Sequence, residues 1–324
     1  MSSKFLNGLV ILFSISLFVN TKLIFDKEGL VDQILPSLLA ESRRFSWPVQ
    51  KGVFPQLARI SSTFGESRTD HFHAGVDVAG DKEEVHPVAG GKVLFYQFES
   101  MNPYRPMPGA GNQIWLDHGD GVWSGYYHLS ESRLSKAYVE TSNVIALTGH
   151  TGRSGGPHLH FIVTENYGQT YLNPMIDLLP KAVEHNAPII EHLVFLTSNG
   201  VSRIKADSKE HSIRLSRNYP IYAELTDPGL ESGSRRSPRL VEWKHEVNGQ
   251  TTKSGRIEFL TLQLVDGVVR LNGESEFDQV YSDRFLRLGD PEFESGVNRI
   301  TIIAEDHAGN RAEAVFILNV KREF

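Results

Sequence analysis

Gly149-His150-Thr151-Gly152-Arg153-Ser154-Gly155-Gly156-Pro157-His158-Leu159-His160-Phe161-Ile162-Val163 is the stretch on which the reading of this chain turns. Glycines and small polar residues run up to a proline. An apolar, β-branched segment follows, the make-up of a loop feeding a strand. Residues two apart on a strand share a face. His158 and His160 therefore look one way, while Leu159 and Phe161 pack the other. Two imidazoles on one rigid face, beside a loop of small residues, suit a metal site with open access. A lone His-x-His pair fits a wet strand face equally well, so further ligands must come from elsewhere.

They come from His73-Ala74-Gly75-Val76-Asp77. A spacing of four would suit one helix face. Gly75, with Val76 and Val78 after it, favours a loop running into a strand instead. A histidine, a carboxylate and a distant histidine make a three-ligand site. Nitrogen and oxygen donors without sulfur suit zinc, and three protein ligands leave a fourth position for water, the catalytic pattern. The chain has no cysteine, which excludes thiolate metal sites, disulfides and a cysteine nucleophile.

The 324 residues are enough for about two domains. A hydrophobic content of 40% permits a core, and a net charge of -6 argues against a nucleic-acid partner. Near the start, Lys4 precedes an uncharged run from Phe5 to Val19. Its length is that of a signal-peptide core and is short for a membrane span of ~20 residues. Residues 1–21 are therefore expected to form an export helix, either a cleaved signal peptide or a single membrane anchor. Residues 22–44 read as an amphipathic stalk that Pro36 interrupts.

From residue 45 to 180, short apolar runs alternate with turn residues, which predicts an antiparallel sheet. Asp117-His118-Gly119-Asp120-Gly121 reads as a hairpin turn, with His118 a turn residue rather than a ligand. Residues 99–111 form a proline- and glycine-rich loop. A linker at 181–188 leads to residues 189–324, whose short strands predict a small β-sandwich that resembles an immunoglobulin-like domain. The proline-bearing linker suggests that this accessory domain is separable. Asp306, in Asp306-His307-Ala308-Gly309-Asn310, reads as a turn residue rather than a calcium ligand. The expected fold class is thus mostly β: an antiparallel sheet domain and a C-terminal β-sandwich, preceded by the export helix.

Three motifs in order carry a resemblance: His73-x-Gly75-x-Asp77, Tyr126-x-His128-Leu129 and His158-Leu159-His160-Phe161. Ser62-Thr63-Phe64-Gly65 and Pro87-Val88-Ala89-Gly90-Gly91-Lys92-Val93 support it. Together they resemble the lysostaphin- and LytM-type zinc metalloendopeptidases, family twenty-three of the metallopeptidases, across roughly residues 45–180. The joint match is specific where each piece alone is weak. The resemblance implies a duplicated hybrid motif fold, with zinc in a groove over an antiparallel sheet. It implies His73, Asp77 and His160 as zinc ligands, and His128 and His158 as the unliganded catalytic pair. It also implies cleavage of peptide bonds in bacterial peptidoglycan, and hence a place in the cell envelope. His71 has no counterpart in the family and reads as a rim residue. The turn Glu140-Thr141-Ser142-Asn143 lacks the basic, glycine-containing character usual in the family, which bears on substrate choice.

No His-Glu-x-x-His motif is present, so the proton carrier must be sought among the histidines. His128 and His158 are the candidates, and the sequence does not say which of them is the base. A second reading is a catalytically inactive relative that binds cell wall or activates another hydrolase. Such relatives lose zinc ligands, and here all are present. A zinc enzyme acting on other proteins is a further reading. A cupin-like oxygenase would use a His-x-His strand and a later glutamate, but Glu165 falls on the face opposite His160.

Overall fold

The computed structural model describes residues 45–49, 59–101, 103–104, 109–179, 185–207, 209–228 and 236–323. The chain divides into two units, Met1–Arg43 and Arg44–Phe324. The expected export helix and stalk, residues 1–44, lie outside the described residues, as do residues 181–184 of the expected linker. Among the described residues no helix is long and apolar enough to cross a membrane.

The protein is mostly β, as the sequence pattern predicts. Its α-helices among the described residues, Pro174–Asp177 and Phe277–Val280, are single turns. The strand that organises the first half is His158–Glu165. Leu159, Phe161 and Val163 point into the core, where they meet Ile114, Leu116 and Tyr126. His158 and His160 stand on the opposite face, as strand alternation requires.

Pairing then decides what surrounds them. Trp123–Tyr127 runs antiparallel along one flank, placing Tyr127 beside His160. Val76–Ala79 and then Thr170–Leu172 share the other flank. The register sets Asp77 directly across from His160 and Ala79 across from His158. Directly opposed residues on one face are close enough to interact. The loop-into-strand reading of His73-x-x-x-Asp77 thus holds, with Asp77 inside Val76–Ala79 and His73 just before it. At the domain's edge, Phe45–Ser46 pairs in parallel with Leu178–Leu179, tying its two ends together.

Two five-stranded sheets form the sandwich of the C-terminal half. One contains Ile189–Thr197, Ile221–Thr226 and Phe285–Gly289; the other contains Leu240–Val247, Gly296–Glu305 and Arg311–Arg322. Leu193, Phe195, Trp243, Ile302 and Phe316 are buried in the core of this half. Asp306 is the hub of the terminal hairpin: its carboxylate accepts from the amides of Ala308 and Asn310.

The two halves are joined more closely than a linker at 181–188 suggests. Thr261–Val265 pairs antiparallel with Thr170–Leu172, with Tyr171 across from Leu262. The hairpin partner Val268–Leu271 and the short Ser275–Glu276 follow it. Residues 261–276, expected in the sandwich, therefore extend the sheet that carries His158 and His160 into a single eleven-stranded sheet. Phe64 and Phe72, from the first half, are buried in the same hydrophobic cluster as the sandwich core.

Candidate metal and catalytic site

The five residues singled out from the sequence converge. His73 Nε2 lies 3.1 Å from Asp77 Oδ1 and 3.0 Å from His160 Nδ1, and His160 Nδ1 lies 2.7 Å from Asp77 Oδ1. Three donor atoms at these separations could hold one metal ion. Their spacing is close to the edge, roughly 3.3 Å, of a tetrahedron with metal–ligand bonds of about 2.0 Å.

The outer partners set the state of each ligand. The Nδ1–H of His73 donates to the Thr63 carbonyl at 2.7 Å, with Ser62 Oγ at 3.2 Å. That leaves the Nε2 lone pair facing Asp77 and His160, the outer-shell arrangement that orients a metal-bound histidine. Arg68 Nη2 donates to Asp77 Oδ2 at 3.0 Å, so Oδ1 alone faces the centre. Two acceptors, His73 Nε2 and Asp77 Oδ1, thus face one another at 3.1 Å. The proton on His160 Nδ1 lies between them, where a metal cation would take its place.

His160 is held by shape. Its ring stacks on Tyr127, with centroids 5.3 Å apart and planes at 22°. On the other side lies Gly75, where a Cβ would come within 3.0 Å of the imidazole and 2.4 Å of the Phe161 carbonyl. The glycine inside the His73-x-Gly75-x-Asp77 motif is required by this close approach.

His128 reaches the site through a break in alternation. Tyr126 points into the core, where its hydroxyl meets the Val88 amide and Ser124 Oγ. Tyr127 faces the metal side, so an unbroken strand would return His128 to the core. Instead His128 has φ of +61°, in the left-handed region uncommon for a residue with a side chain. Its amide bonds to the Ala110 carbonyl, and its ring stands 4.7 Å from that of His158, centroid to centroid.

Both of these rings present the same nitrogen to the site. His128 Nδ1 donates to the Thr151 carbonyl at 2.8 Å, and His158 Nδ1 to the Gly156 carbonyl at 2.7 Å. Each Nε2 is then the proton acceptor of the neutral ring. His158 Nε2 lies 3.7 Å from Asp77 Oδ1. The glycine-rich loop that opened the sequence reading thus supplies, through Thr151 and Gly156, the carbonyls that fix both tautomers.

Electrostatics follow from burial and neighbours. Burial pushes the Asp77 carboxyl up, but the imidazoles of His73 and His160 outweigh it and hold it well below its usual value. Burial lowers His160 against the opposing pull of Asp77. Burial pushes Glu66 well above the ordinary range, and Arg68 offsets this only in part. His128 is lowered by burial to about 4, from an ordinary 6.5. At neutral pH its ring is uncharged and able to accept a proton.

A titration checks this. In the metal-free chain the His128 ring is expected to titrate near pH 4 by histidine-ring NMR; a midpoint at or above 6.5 would mean the ring is not shielded. The unfolded chain takes up that proton at higher pH than the folded one. His128 therefore contributes stability above pH 6.5 that is lost as pH falls through about 4.

Arg68, Thr63, Tyr127 and Thr151 were not singled out from the sequence as site residues. Thr63 lies in a supporting motif, and Tyr127 fills the open position of Tyr126-x-His128. Arg68 had no signal beyond a basic residue near an acidic one. His71 lies outside the cluster, paired with Asp70 at 2.5 Å on the surface. His118 sits in its turn, with Nδ1 3.0 Å from the Gly90 carbonyl.

Residues 71–174 match the family model described as Peptidase family M23. Over that part of its length the chain is similar to M23 peptidases. A second family model, without a description, matches residues 187–321. Within the M23 region the chain is similar to the DD-carboxypeptidase/endopeptidase Mpg of Neisseria meningitidis, 35% identical over 128 residues, covering 38% of this chain and 27% of that protein. It is also similar to lysostaphin of Staphylococcus simulans, 41% identical over 71 residues, 21% of this chain and 14% of the other. Among solved structures, a zinc-containing peptidase from Vibrio cholerae aligns with a TM-score of 0.34 and 30% identity, over 43% of this chain and 41% of that one. The chain thus spans about a quarter of the length of the Neisseria relative.

Proposed function

We propose that this chain is a zinc-dependent endopeptidase that hydrolyses peptide bonds of bacterial peptidoglycan in the cell envelope. The observation that carries the reading is the convergence of His73 Nε2, Asp77 Oδ1 and His160 Nδ1 within 3.1 Å of one another, beside two further imidazoles with acceptor nitrogens. One carboxylate and two neutral imidazoles form a donor set of the kind that catalytic zinc takes. When bound, zinc would lower the pKa of a water to ~7 and polarise the scissile carbonyl.

The rest is work for the chain's own side chains. Nε2 of His128 or His158 accepts the proton of the attacking water, and the same ring, then an imidazolium, gives that proton to the leaving amine. Thr151 and Gly156 keep both rings in the tautomer that allows this. Arg68 neutralises the Asp77 oxygen turned away from the centre.

Peptidoglycan is proposed as the substrate because the sequence relatives include one named peptidoglycan DD-endopeptidase ShyA, of Vibrio cholerae, 41% identical over 58 residues, 18% of this chain and 14% of that protein. Peptide rather than glycan cleavage is proposed because the donor set suits a metal-activated water. Digestion of purified sacculi followed by mass analysis of the muropeptides tests this. Loss of crosslinked species with intact glycan strands is expected. Released disaccharides with crosslinks untouched would sink the assignment. Export through residues 1–21 is part of the same proposal, and the mass of the mature N-terminus distinguishes a cleaved signal peptide from a retained anchor.

A further inference from the structure

The arm that carries His73, residues 62–73, lies against the C-terminal half of the chain, and the contacts are specific. Thr63 Oγ1 donates to the Ser237 carbonyl at 3.2 Å and accepts from the Ser237 amide at 2.9 Å. The carbonyl of the same Thr63 receives the His73 Nδ1 proton at 2.7 Å. A single residue thus links the sandwich backbone to the imidazole. Thr63 is 1% exposed, so water does not replace either partner.

Packing reinforces the link. Gly65, with φ of +80°, lies so close to the Phe259 ring that a Cβ there would sit 2.4 Å from Cδ1. Gly65 also donates its amide to the His73 carbonyl, and the His73 amide donates to Glu66. Phe72, the residue before His73, packs edge-on against Phe277 at 5.3 Å. From the other side of the site, Asn173 Nδ2 donates to the Phe259 carbonyl at 2.8 Å, and its amide to Leu260. Phe259 is therefore gripped both by the His73 arm and by the end of the strand pair that continues from His160.

We infer that residues 187–321 are a structural part of the metal centre, with Thr63 the positioning residue through which the C-terminal half sets the His73 imidazole. The inference rests on the metal-site reading above. It replaces the expectation of a separable accessory domain with one of reciprocal coupling: what the sandwich does for zinc, zinc does for the sandwich.

Two measurements on the full-length protein test it. Thr63→Val keeps the side-chain shape and the carbonyl that His73 uses, but removes both bonds to Ser237. Zinc affinity, read by competition with a chromogenic chelator, should fall about 10–100-fold, the usual range for an outer-shell partner of a ligand. Thr63→Ser, which restores the hydroxyl, should recover most of it. A merely structural residue would lower the melting temperature and leave zinc affinity alone. In the wild-type chain, zinc should slow hydrogen exchange in peptides covering residues 236–245 and 256–265. Should Thr63→Val not fold, this exchange measurement decides by itself. Wild-type zinc affinity in Thr63→Val, or unchanged exchange in those peptides on zinc binding, would overturn the coupling and leave the metal reading intact. A wild-type chain that takes up no zinc would overturn both.

Discussion

Asp77→Ala is expected to lose bound zinc and, with it, measurable activity. Asp77 brings the only anionic ligand atom of the three, and the flanking imidazoles hold its carboxyl well below its usual value, so it is charged throughout the working range. Removing it leaves two neutral nitrogens and, within reach of the site, the cation of Arg68, which has lost its partner at 3.0 Å. Both changes disfavour a divalent ion, and metal uptake requires its ligands deprotonated and in place. Asp77→Asn separates charge from shape, since it fills the same space without the negative charge. Zinc per chain by elemental analysis should fall in both variants. Full occupancy in Asp77→Ala would remove Asp77 from the ligand set and with it the proposed centre. His73→Ala and His160→Ala should likewise lose zinc.

The counterpart is His128→Ala, which should keep near-stoichiometric zinc and the same fold yet lose on the order of a hundredfold or more in rate, the scale of a positioned general base. The distinction has a geometric ground. His128 Nδ1 is tied to Thr151 at 2.8 Å, and its ring stands 6.1 Å from that of His160, outside the three-atom cluster. Taking it away removes a proton acceptor but no ligand. Zinc content and cleavage rate must be measured on the same samples. Full activity in His128→Ala would remove it from the mechanism. Loss of zinc would make it a ligand and displace one of the three. His158→Ala should resemble His128→Ala, although it shares a strand with His160 and can shift that ring.

The relation between sequence and structure can be followed through single residues. The alternation of His158-Leu159-His160-Phe161 was enough to place both imidazoles on one face, because a strand's period of two depends on nothing beyond the backbone. The glycine before Val76 was enough to place His73 on a loop and Asp77 on a strand, and turn residues marked the hairpins at 117–121 and 306–310 for the same local reason. Whatever is set by neighbours in the chain could be read from the chain.

What joins distant segments could not. Asp77 stands across from His160 because of the register between two strands more than eighty residues apart. His128 turns toward the site only because its backbone leaves the strand conformation, held there by the Ala110 and Thr151 carbonyls. Nothing in Tyr126-Tyr127-His128 announces that turn, since alternation by itself sends His128 inward. The pairing of Thr170–Leu172 with Thr261–Val265 is not legible in the sequence for a related reason: an edge strand is completed by whatever partner the fold brings to it, and the partner's identity is not written in its own residues. Periodicity and turn chemistry determined the strands and the candidate ligands. The tertiary structure decided their register, the tautomers of the histidines and the seating of the His73 arm on the C-terminal half, because each of these depends on hydrogen bonds and contacts between segments that only folding brings together.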